Sequence, residues 1–267
     1  EWWDVKKDLI EAPAAATTRV LQDIAGRSEL YPDVVFIALH GPDGEDGTVQ
    51  GFLEVLGIPY TGSKVLASSL AMDKVRAKTM FAASGIPVAA HLVFIRDDIR
   101  IRSCIRKIEQ DLGLPCVVKP VKQGSSFGTS VVTDVGDLPK ALRLASKYDV
   151  EIMVEEFIPG REMTVACIGT TTVATLPIVE IITKSGFFDY TSKYGTDEDA
   201  AQEIVPAELE ASEAEEAANL ALECHSSLGC HGYSRTDMIL SEHGFYVLET
   251  NTLPGMTETS LLPKSAG

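Results

Sequence analysis

Apolar runs and helical periodicity alternate along the chain from residue 33 onward. The unbroken apolar run at 34–39 is typical of a strand that is buried on both faces. It leads through a glycine-rich loop, residues 40–47, into a predicted helix from Thr48 to Leu56. A strand, a glycine-rich loop and a helix in this order predict the beginning of a doubly wound α/β lobe, in which ligands bind at the carboxyl end of the strand.

The remainder of the chain mixes short strands with amphipathic helices. Asp73 is a suitable N-cap for a helix that ends near Ser84, and Ser212 with Glu215 is a predicted capping box for a helix that reaches Leu228. Further helices are predicted at 104–111 and 137–147, and strands at 92–95, 116–120, 130–133, 151–157, 165–168 and 172–182. The pattern therefore predicts an α/β and α+β protein with three lobes, residues 1–67, 68–153 and 154–267.

Composition narrows the classes of partner. The chain has 267 residues, of which 45% are hydrophobic, and a formal net charge of −16. Nucleic acids and anionic membranes select basic surfaces, so we expect neither as a partner and expect small-molecule ligands instead. The sequence has no signal-peptide pattern and no apolar run near the roughly 20 residues that cross a bilayer, so we expect a cytoplasmic protein.

Five scattered cysteines form no Cys-x-x-Cys pair, so the sequence predicts neither a disulfide framework nor a redox motif. Two adjacent pairs, Cys224-His225 and Cys230-His231, have the residue types of zinc ligands. The alternative is that Cys224 lies on a helix face and that Cys230 packs at the end of this helix. We favour packing, because no second pair of ligands lies nearby in the sequence.

The most informative polar residues lie near the end of the chain. The sequence predicts two strands there, at 233–237 and 245–251, joined at 242–244. A three-residue turn would place Asp237 opposite Glu249, and Arg235 opposite Asn251. Two carboxylates and an amide oxygen, without His or Cys, are ligands that suit Mg²⁺. The alternative is a solvated ladder of salt bridges, but the apolar residues of the second strand predict that it is half buried, so we favour a metal site.

A second segment, residues 119–128, combines a lysine with a glycine- and serine-rich loop. Its glycines permit backbone conformations that turn N–H groups inward, and Ser125 and Ser126 add hydroxyl groups. Such a loop can fold over phosphate groups, with Lys119 on the preceding strand as a point charge. The lysine precedes the glycines, so this is not a Walker A loop. The alternative is an ordinary hairpin loop, and the pattern alone leaves both interpretations open.

A third segment runs from Glu155 to Glu162 around a predicted turn. Two acids seven residues apart could receive an adenine amino group and the ribose hydroxyls. The backbone of the connector between them, Glu156, Phe157 and Ile158, could then read the edge of the base. On the pattern alone we favour the alternative, which is that these are solvated charges at the end of a strand.

The order of these segments resembles the D-alanine–D-alanine ligase family. The matching segments are His40-Gly-x-x-Gly-Glu-Asp-Gly47, Gly57-Ile-Pro-Tyr-Thr-Gly-Ser63, Met72-Asp-Lys74, the loop from Lys119 to Gly128, Asp189-Tyr-x-x-Lys-Tyr194, Gly232-Tyr-Ser-Arg-x-Asp237 and Glu249-x-Asn-x-x-Pro-Gly-Met-Thr257. The match runs from about residue 33 to the end of the chain. The resemblance implies an ATP-grasp fold preceded by a doubly wound α/β lobe, and a homodimer.

The resemblance also implies a reaction and a set of site residues. Enzymes of this family use ATP and two Mg²⁺ ions, for which Mn²⁺ can substitute, to join two D-alanines through an acyl phosphate in peptidoglycan precursor synthesis. The implied ATP contacts are Lys74, Lys119, Ser126, Glu155, Glu156, Phe157, Ile158, Glu162 and Lys193. The implied ligands of the ions are Asp237, Glu249 and Asn251. The implied catalytic residues are Arg235 and Gly255, which stabilise the oxyanion, and Ser125 with Tyr194, which hold the loop around Lys193 shut. His40, Ser260 and Leu261 match substrate contacts.

The sequence departs from the family pattern at both ends. The family begins with a strand and a Gly-Gly-x-Ser-x-Glu segment, whose glutamate anchors the first D-alanine, and nothing in residues 1–32 matches it. The chain also ends at Gly267, before the family's final helix. We therefore expect an incomplete N-terminal lobe, and one alternative is a truncated ligase that binds nucleotide without activity. The other alternative is a D-alanine–D-lactate ligase, against which Tyr194 argues because those enzymes usually carry phenylalanine or a different loop.

Overall fold

Residues 32–96, 101–183 and 201–267 are described by a computed structural model of the chain. The helices there are α1 (Thr48–Leu56), α2 (Val65–Met72), α3 (Lys74–Ala83), α4 (Ile101–Asp111), α5 (Leu138–Ala145), α6 (Ala211–Ser227) and α7 (Leu261–Ala266). The strands are β1 (His91–Ile95), β2 (Cys116–Pro120), β3 (Ser130–Val132), β4 (Glu151–Glu156), β5 (Arg161–Gly169), β6 (Ala174–Thr175), β7 (Val179–Ile182), β8 (Gln202–Ile204), β9 (Gly232–Ser241) and β10 (Gly244–Asn251). Most predicted helices and strands are confirmed. None of the helices in these ranges combines the length and the apolar character needed to cross a membrane.

The first sheet is antiparallel and has the strand order β1-β4-β2-β3. Helices α4 and α5 pack on it, because each carries one apolar stripe: Cys104 and Ile108 in α4, and Leu138 and Leu142 in α5. Every residue of β2 is buried, which explains its apolar run. Lys119 lies within this strand and is therefore held inside the protein.

The second sheet has the order β10-β9-β5-β7-β8, with β6 paired to β5. Helices α3 and α6 pack on this sheet and bury the largest apolar cluster of the described residues. In this cluster Phe81 of α3 lies with Met163 of β5, Met238 of β9 and Phe245 of β10, and each is at most 2% exposed. The strands that carry the predicted metal ligands therefore rest on a close-packed core.

Helix α3 begins where the sequence predicts and bridges the two sheets. The carboxylate of Asp73 accepts a hydrogen bond from the backbone N–H of Arg76 at 3.1 Å, which caps the helix. The cap fixes Lys74 as the first helical residue, and Lys78 follows one turn later on the same face. Lys74 contacts β10 and Lys78 contacts β4, so the face that carries both lysines lies against both sheets.

The hairpin of β9 and β10 has the predicted pairing but not the predicted turn. The turn between the strands, residues 242–243, has two residues rather than three. With this turn alone Asp237 would lie opposite Leu248. A β-bulge at Leu248 inserts one extra residue, so Asp237 pairs with Glu249, and Arg235 pairs with its predicted partner. The pairings are therefore confirmed, whereas the three-residue turn is wrong.

Helix α6 begins earlier than its predicted start. Its capping box consists of Glu210 and Glu213, whose side chains each accept a hydrogen bond from the other residue's backbone N–H group. The predicted box of Ser212 and Glu215 is therefore wrong, because Ser212 already lies in the first turn of the helix. A glutamate carboxylate accepts the same backbone hydrogen bonds as a serine hydroxyl, so the residue types alone did not determine which pair forms the cap.

The apolar run at 34–39 forms less of a strand than predicted. It makes one isolated parallel bridge, between Val35 and Tyr60, and Ile37 is buried in a cluster with α1. Val34 and Phe36 are more than half exposed, at 57% and 55%. Successive side chains of an extended chain point to opposite faces, and only one of these faces packs on α1. Burial on both faces is therefore wrong for this segment.

The cysteines pack as we favoured. Cys224 lies on α6, fully buried in the core of the second sheet, and Cys230 packs against the same cluster beyond the helix end. Burial raises the pKa of the Cys224 thiol to about 12, so this thiol stays protonated at neutral pH. In the part of the chain that the structure describes, no group of three or more His, Cys, Asp or Glu side chains could hold a metal ion.

Candidate active site

A cavity of about 260 Å³ lies between the two sheets. Strands β2, β4, β5, β7, β9 and β10 and the first residue of α3 contribute to its wall. Ten residues that the sequence assigned to ATP or metal binding line it: Lys74, Lys119, Ser126, Glu155, Glu156, Phe157, Ile158, Glu162, Asp237 and Glu249. Segments that are far apart in the sequence therefore meet at one site.

Glu155 pairs with two lysines at this cavity. Its carboxylate contacts Lys119 of β2 through Oε1 and Lys78 of α3 through Oε2, the latter at 2.8 Å. Burial alone would raise the pKa of Glu155, but the positive charges of the two lysines outweigh burial and hold the pKa at about 2. Glu155 is 3% exposed, so the interpretation as a solvated charge is wrong for this residue. An adenine amino group would have to share a carboxylate that already holds two cations.

Lys74 links the glycine- and serine-rich loop to the hairpin. Its Nζ donates a hydrogen bond to the backbone carbonyl of Gln123 at 2.8 Å and lies 3.1 Å from Oε2 of Glu249. Its side chain is only 10% exposed and lines the cavity. Lys74 and Lys119 therefore bring two positive charges, held by separate elements, to the same cavity, which suits a phosphate chain.

The loop between β2 and β3 has a strained backbone. Ser125 and Ser126 have φ angles of 52° and 58°, a conformation that residues other than glycine rarely adopt. Such strain costs on the order of 1–3 kcal/mol per residue and is concentrated at functional sites. A Cβ at Gly128 would lie 2.6 Å from the ring of Tyr148, so glycine is required there. Ser126 lines the cavity, which favours a phosphate-binding loop over an ordinary hairpin loop. Ser125 is not part of the cavity wall.

The connector after β4 follows one wall of the cavity. The backbone N–H of Glu156 donates to the carbonyl of Ala90 at 2.9 Å, and the N–H of Phe157 donates to the carbonyl of Pro115 at 3.3 Å. These two N–H groups attach the connector to the first sheet. Hydrogen bonds to the edge of a base would therefore come from the remaining backbone groups of the connector, including those of Ile158.

Glu162 lines the same cavity from the second residue of β5. Its neighbour Arg161 forms a bidentate ion pair with Glu180 of β7, with N–O distances of 2.8 and 2.6 Å. This pair fixes the start of β5 against β7, where both side chains also reach the cavity wall. The position of Glu162 is therefore set by an ion pair that the sequence pattern did not indicate.

Asp237 is the most constrained carboxylate of the hairpin. It accepts a hydrogen bond from the hydroxyl of Thr164 at 2.5 Å and two from the guanidinium of Arg235, both at 2.9 Å. Asp237 is 7% exposed, so the alternative of a solvated salt bridge is wrong for this residue, whereas the side chain of Glu249 is 31% exposed. The contacts fix the carboxylate on the face of β9 that borders the cavity.

The oxygen atoms of the hairpin fit Mg²⁺. Asp237 and Glu249 lie opposite each other across β9 and β10, and Asn251 is two residues further along β10. Each carboxylate has a cation beside it, Arg235 or Lys74, which compensates its negative charge. Mg²⁺ keeps several waters and binds phosphate oxygens together with one or two carboxylates, so these residues suffice without a cage made only of protein ligands.

Arg235 is paired with Asp237 and lies within electrostatic range of Glu45 and His40. Burial opposes its charged form, but the charge of Asp237 and the hydrogen bonds to it outweigh burial and raise the pKa of Arg235 above its ordinary value. Across from it, Nδ1 of His40 lies 3.6 Å from Glu45, and the hydrogen bond with Glu45 raises the pKa of His40. The negative charge of Glu45 favours the charged form of Arg235, and the positive charge of Arg235 opposes protonation of His40. Arg235, Glu45 and His40 therefore form one electrostatically coupled group.

Gly255, Ser260 and Leu261 lie outside the wall of the cavity between the sheets. A Cβ at Gly255 would lie 2.5 Å from Oγ of Ser260, so a side chain would displace that hydroxyl. The same Oγ accepts a hydrogen bond from the backbone N–H of Thr257 at 3.1 Å. Leu261 begins α7 and is buried against β7. It is therefore a packing residue as well as a candidate substrate contact.

Two predicted site residues, Lys193 and Tyr194, lie outside the described residues. Three residues with site contacts were not found from the sequence: Lys78, Thr164 and Glu45. The position of Lys78 four residues after Lys74 on one helix face was an available signal. The contact of Thr164 with Asp237 depends on the pairing of β5 with β9, for which the sequence carries no local signal.

Comparison with known families and proteins gives consistent matches. A family model described as the D-ala D-ala ligase N-terminus matches residues 3–63, and one described as the D-ala D-ala ligase C-terminus matches residues 80–267. The expectation that similarity begins at about residue 33 was therefore wrong. Residues 1–32 carry no glycine-rich or charged motif, whereas a family model sums weak preferences over many positions.

Relatives and solved structures agree with the family models. The chain is 46% identical over 237 residues to the D-alanine–D-alanine ligase of Geotalea uraniireducens, covering 88% of this chain and 73% of that protein. The corresponding enzyme of Geobacter sulfurreducens is 46% identical over 240 residues, which are 88% and 71% of the two chains. Among solved structures, the VanG D-Ala:D-Ser ligase of Enterococcus faecalis has a TM-score of 0.78 at 38% identity, covering 88% of this chain and 68% of that one. The D-alanine–D-alanine ligase of Coxiella burnetii has a TM-score of 0.75 at 30% identity, covering 88% and 62%. These structures confirm the predicted ATP-grasp fold.

Proposed function

Because the chain belongs to the D-alanine–D-alanine ligase family, we propose that it joins two D-alanines into D-alanyl-D-alanine while ATP is converted to ADP and phosphate. One observation carries the assignment to this site: Lys74 and Lys119 line the same cavity as Asp237 and Glu249. A cavity whose wall contains both lysines and carboxylates suits a phosphate chain and the metal ions that accompany it. The resemblance also supports a homodimer and lobe boundaries near residues 67 and 153.

Phosphoryl transfer comes first in the proposed reaction. A carboxylate oxygen of the first D-alanine attacks the γ-phosphorus of ATP, and the bond from this phosphorus to the β-phosphate oxygen breaks. The products are ADP and the acyl phosphate of D-alanine. Lys74 and Lys119 offset the negative charge of the phosphates, and the strained loop at Ser126 fixes their position. Asp237, Glu249 and Asn251 would hold Mg²⁺, or Mn²⁺ in its place, and the ions supply further charge neutralisation.

Peptide-bond formation follows. The amine of the second D-alanine attacks the acyl carbon, and a tetrahedral oxyanion forms. The bond to the phosphate oxygen then breaks, the peptide bond is completed, and the released phosphate carries the proton that the amine loses. Arg235 stabilises the oxyanion, because its guanidinium is fixed by two hydrogen bonds to Asp237 before the substrate arrives. The backbone at Gly255 assists, and His40, Ser260 and Leu261 contact the substrates. The resemblance assigns to Lys193 and Tyr194, together with Ser125, the role of shielding the acyl phosphate from water.

D-Alanine should stimulate the release of ADP from ATP by this chain in the presence of Mg²⁺. The reason is that the γ-phosphoryl group has no acceptor until a D-alanine carboxylate is bound. The measurement is coupled ADP release with D-alanine, with L-alanine and without an amino acid. Equal rates in all three would contradict the ligase assignment. ATP binding by calorimetry without D-alanine-stimulated release would favour the alternative of an inactive nucleotide-binding ligase.

The second substrate should be D-alanine rather than D-serine or D-lactate. Relatives at 46% identity are D-alanine–D-alanine ligases, and Tyr194 matches the dipeptide-forming pattern. In a competition with equal concentrations of the three substrates at neutral pH, we expect D-alanyl-D-alanine as the main product by mass spectrometry. A majority of D-alanyl-D-lactate or D-alanyl-D-serine would overturn this specificity while leaving the ATP-dependent ligation in place.

A further inference from the structure

Lys78 is a fully buried lysine that the proposed reaction does not use. It lies in the second turn of α3, its side chain is 0% exposed, and its ammonium group is paired with Oε2 of Glu155 at 2.8 Å. It does not line the cavity, whereas Glu155, Lys119 and Lys74 do. Lys78 therefore acts on the cavity through Glu155 rather than by direct contact.

A buried lysine at this position calls for a physical reason. Removing an ammonium group from water is costly, and replacing a buried ion pair by apolar residues is often neutral or stabilising. Helix α3 could pack with an apolar residue here, as it does at Phe81 in the same core. An apolar side chain of similar length, such as methionine, could fill this space. Lysine differs from it by the charge that it places next to Glu155.

The charge balance around Glu155 provides such a reason. One carboxylate pairs with two lysine side chains. Burial lowers the pKa of Lys78, and the charge of Glu155 opposes this effect. With both lysines protonated, the three side chains together carry one net positive charge. Lys78 holds one carboxylate oxygen from inside the protein, and Lys119 holds the other from the cavity side, where its side chain is 11% exposed. Without Lys78 the charge of Glu155 would neutralise Lys119, and the carboxylate would be free to rotate.

We propose that Lys78 is a positioning residue for nucleotide phosphates: it fixes Glu155 and offsets its charge, so that Lys119 is both oriented and positively charged towards the cavity. The proposal rests on the nucleotide-binding function proposed above for this cavity. It differs from that function in a testable way, because it predicts an effect of a residue that no nucleotide can touch.

The test is the affinity of Lys78→Met for two ligands in the presence of Mg²⁺, measured by calorimetry. Methionine keeps the length and removes the charge. We expect the Kd for ADP to rise about tenfold, in line with the contribution of a hydrogen bond to a charged group. The Kd for adenosine, which has no phosphate and reaches Glu155 only through its amino group, should rise much less than the Kd for ADP. Lys107→Met is the matched control, because Lys107 is an exposed lysine that pairs with Asp111 on α4, and it should bind ADP like the wild type.

The outcomes separate positioning from structural support. An unchanged Kd for ADP in folded Lys78→Met would overturn the proposal, and so would equal weakening of ADP and adenosine, because general distortion affects both ligands. If Lys78→Met does not fold, Lys78→Gln is the second variant, because its amide can still donate a hydrogen bond to Glu155 but carries no charge, and it should show the same selective loss of ADP affinity. Retained ADP affinity in that variant would also overturn the proposal. Failure of the proposed ligase activity would appear instead as absent D-alanine stimulation in the wild type, with ADP binding intact.

Discussion

Replacement of Arg235 by methionine should lower kcat for D-alanyl-D-alanine formation by about 10²- to 10³-fold, the usual cost of losing one donor to a developing oxyanion. The two hydrogen bonds from Arg235 to Asp237, both at 2.9 Å, fix the guanidinium before substrate binds, so little reorganisation is needed when the oxyanion forms. An interaction that is made only in the transition state lowers kcat and kcat/KM together, so KM for D-alanine should change little. The measurement is steady-state ADP release at saturating ATP.

A matched control separates this effect from a general loss of charge. Arg106→Met removes an exposed arginine on α4 and should leave kcat unchanged. Arg235→Lys keeps the charge but not the planar pair of donors, so its rate should fall between the wild type and the methionine variant. A kcat for Arg235→Met close to the wild-type value, in a variant that unfolds at the wild-type temperature, would exclude Arg235 from the oxyanion role.

Replacement of Glu249 by glutamine should produce the second large effect, on the dependence of activity on Mg²⁺. Glu249 lies opposite Asp237, and the amide that replaces its carboxylate carries no charge to attract the ion. Loss of residues that support a metal site typically costs about 10- to 100-fold in metal affinity, and loss of a direct ligand should reach at least the upper end of this range. The measurement is the Mg²⁺ concentration that gives half-maximal ADP release, with circular dichroism as the check on folding.

The same hairpin offers the control for this variant. Glu242→Gln makes the same chemical change at the turn, where the side chain is 85% exposed, and should leave the Mg²⁺ dependence unchanged. Glu249 also pairs with Lys74, so the KM for ATP should be followed separately from the Mg²⁺ titration. A normal Mg²⁺ dependence combined with a raised KM for ATP would mean that Glu249 orients Lys74 and does not bind the ion.

The hairpin illustrates how a correct prediction can rest on a wrong element. A three-residue turn was predicted and the correct pairing of Asp237 with Glu249 followed from it. The chain instead has a two-residue turn and a β-bulge at Leu248, which shift the register by one residue in compensating ways. The sequence predicts the alternation of side chains along the strands. It does not predict the bulge, because a bulge depends on how β10 packs against its neighbours, which include Val88.

Glu155 illustrates the opposite case. The pattern predicts solvated charges for the acids at the end of β4, because a short acidic pair at a strand end is usually exposed. Burial of Glu155 is decided by α3, which brings Lys78 from 77 positions earlier in the chain to 2.8 Å from its carboxylate. No local pattern contains this contact, since it depends on the way in which one helix bridges two sheets.

The sequence by itself determined the elements whose signals are local. The bounds of α1, the N-cap at Asp73 and the apolar run of β2 all follow from residue type and spacing within a single element, and each is confirmed. The order of its motifs also identified the family. Tertiary structure alone decided which charges share one carboxylate, which of two candidate residue pairs caps α6, and how much of the run at 34–39 is buried. These outcomes depend on contacts between distant segments. Burial strengthens the interaction between two charges, and a shift of one residue in strand register moves a side chain to the other face of the sheet.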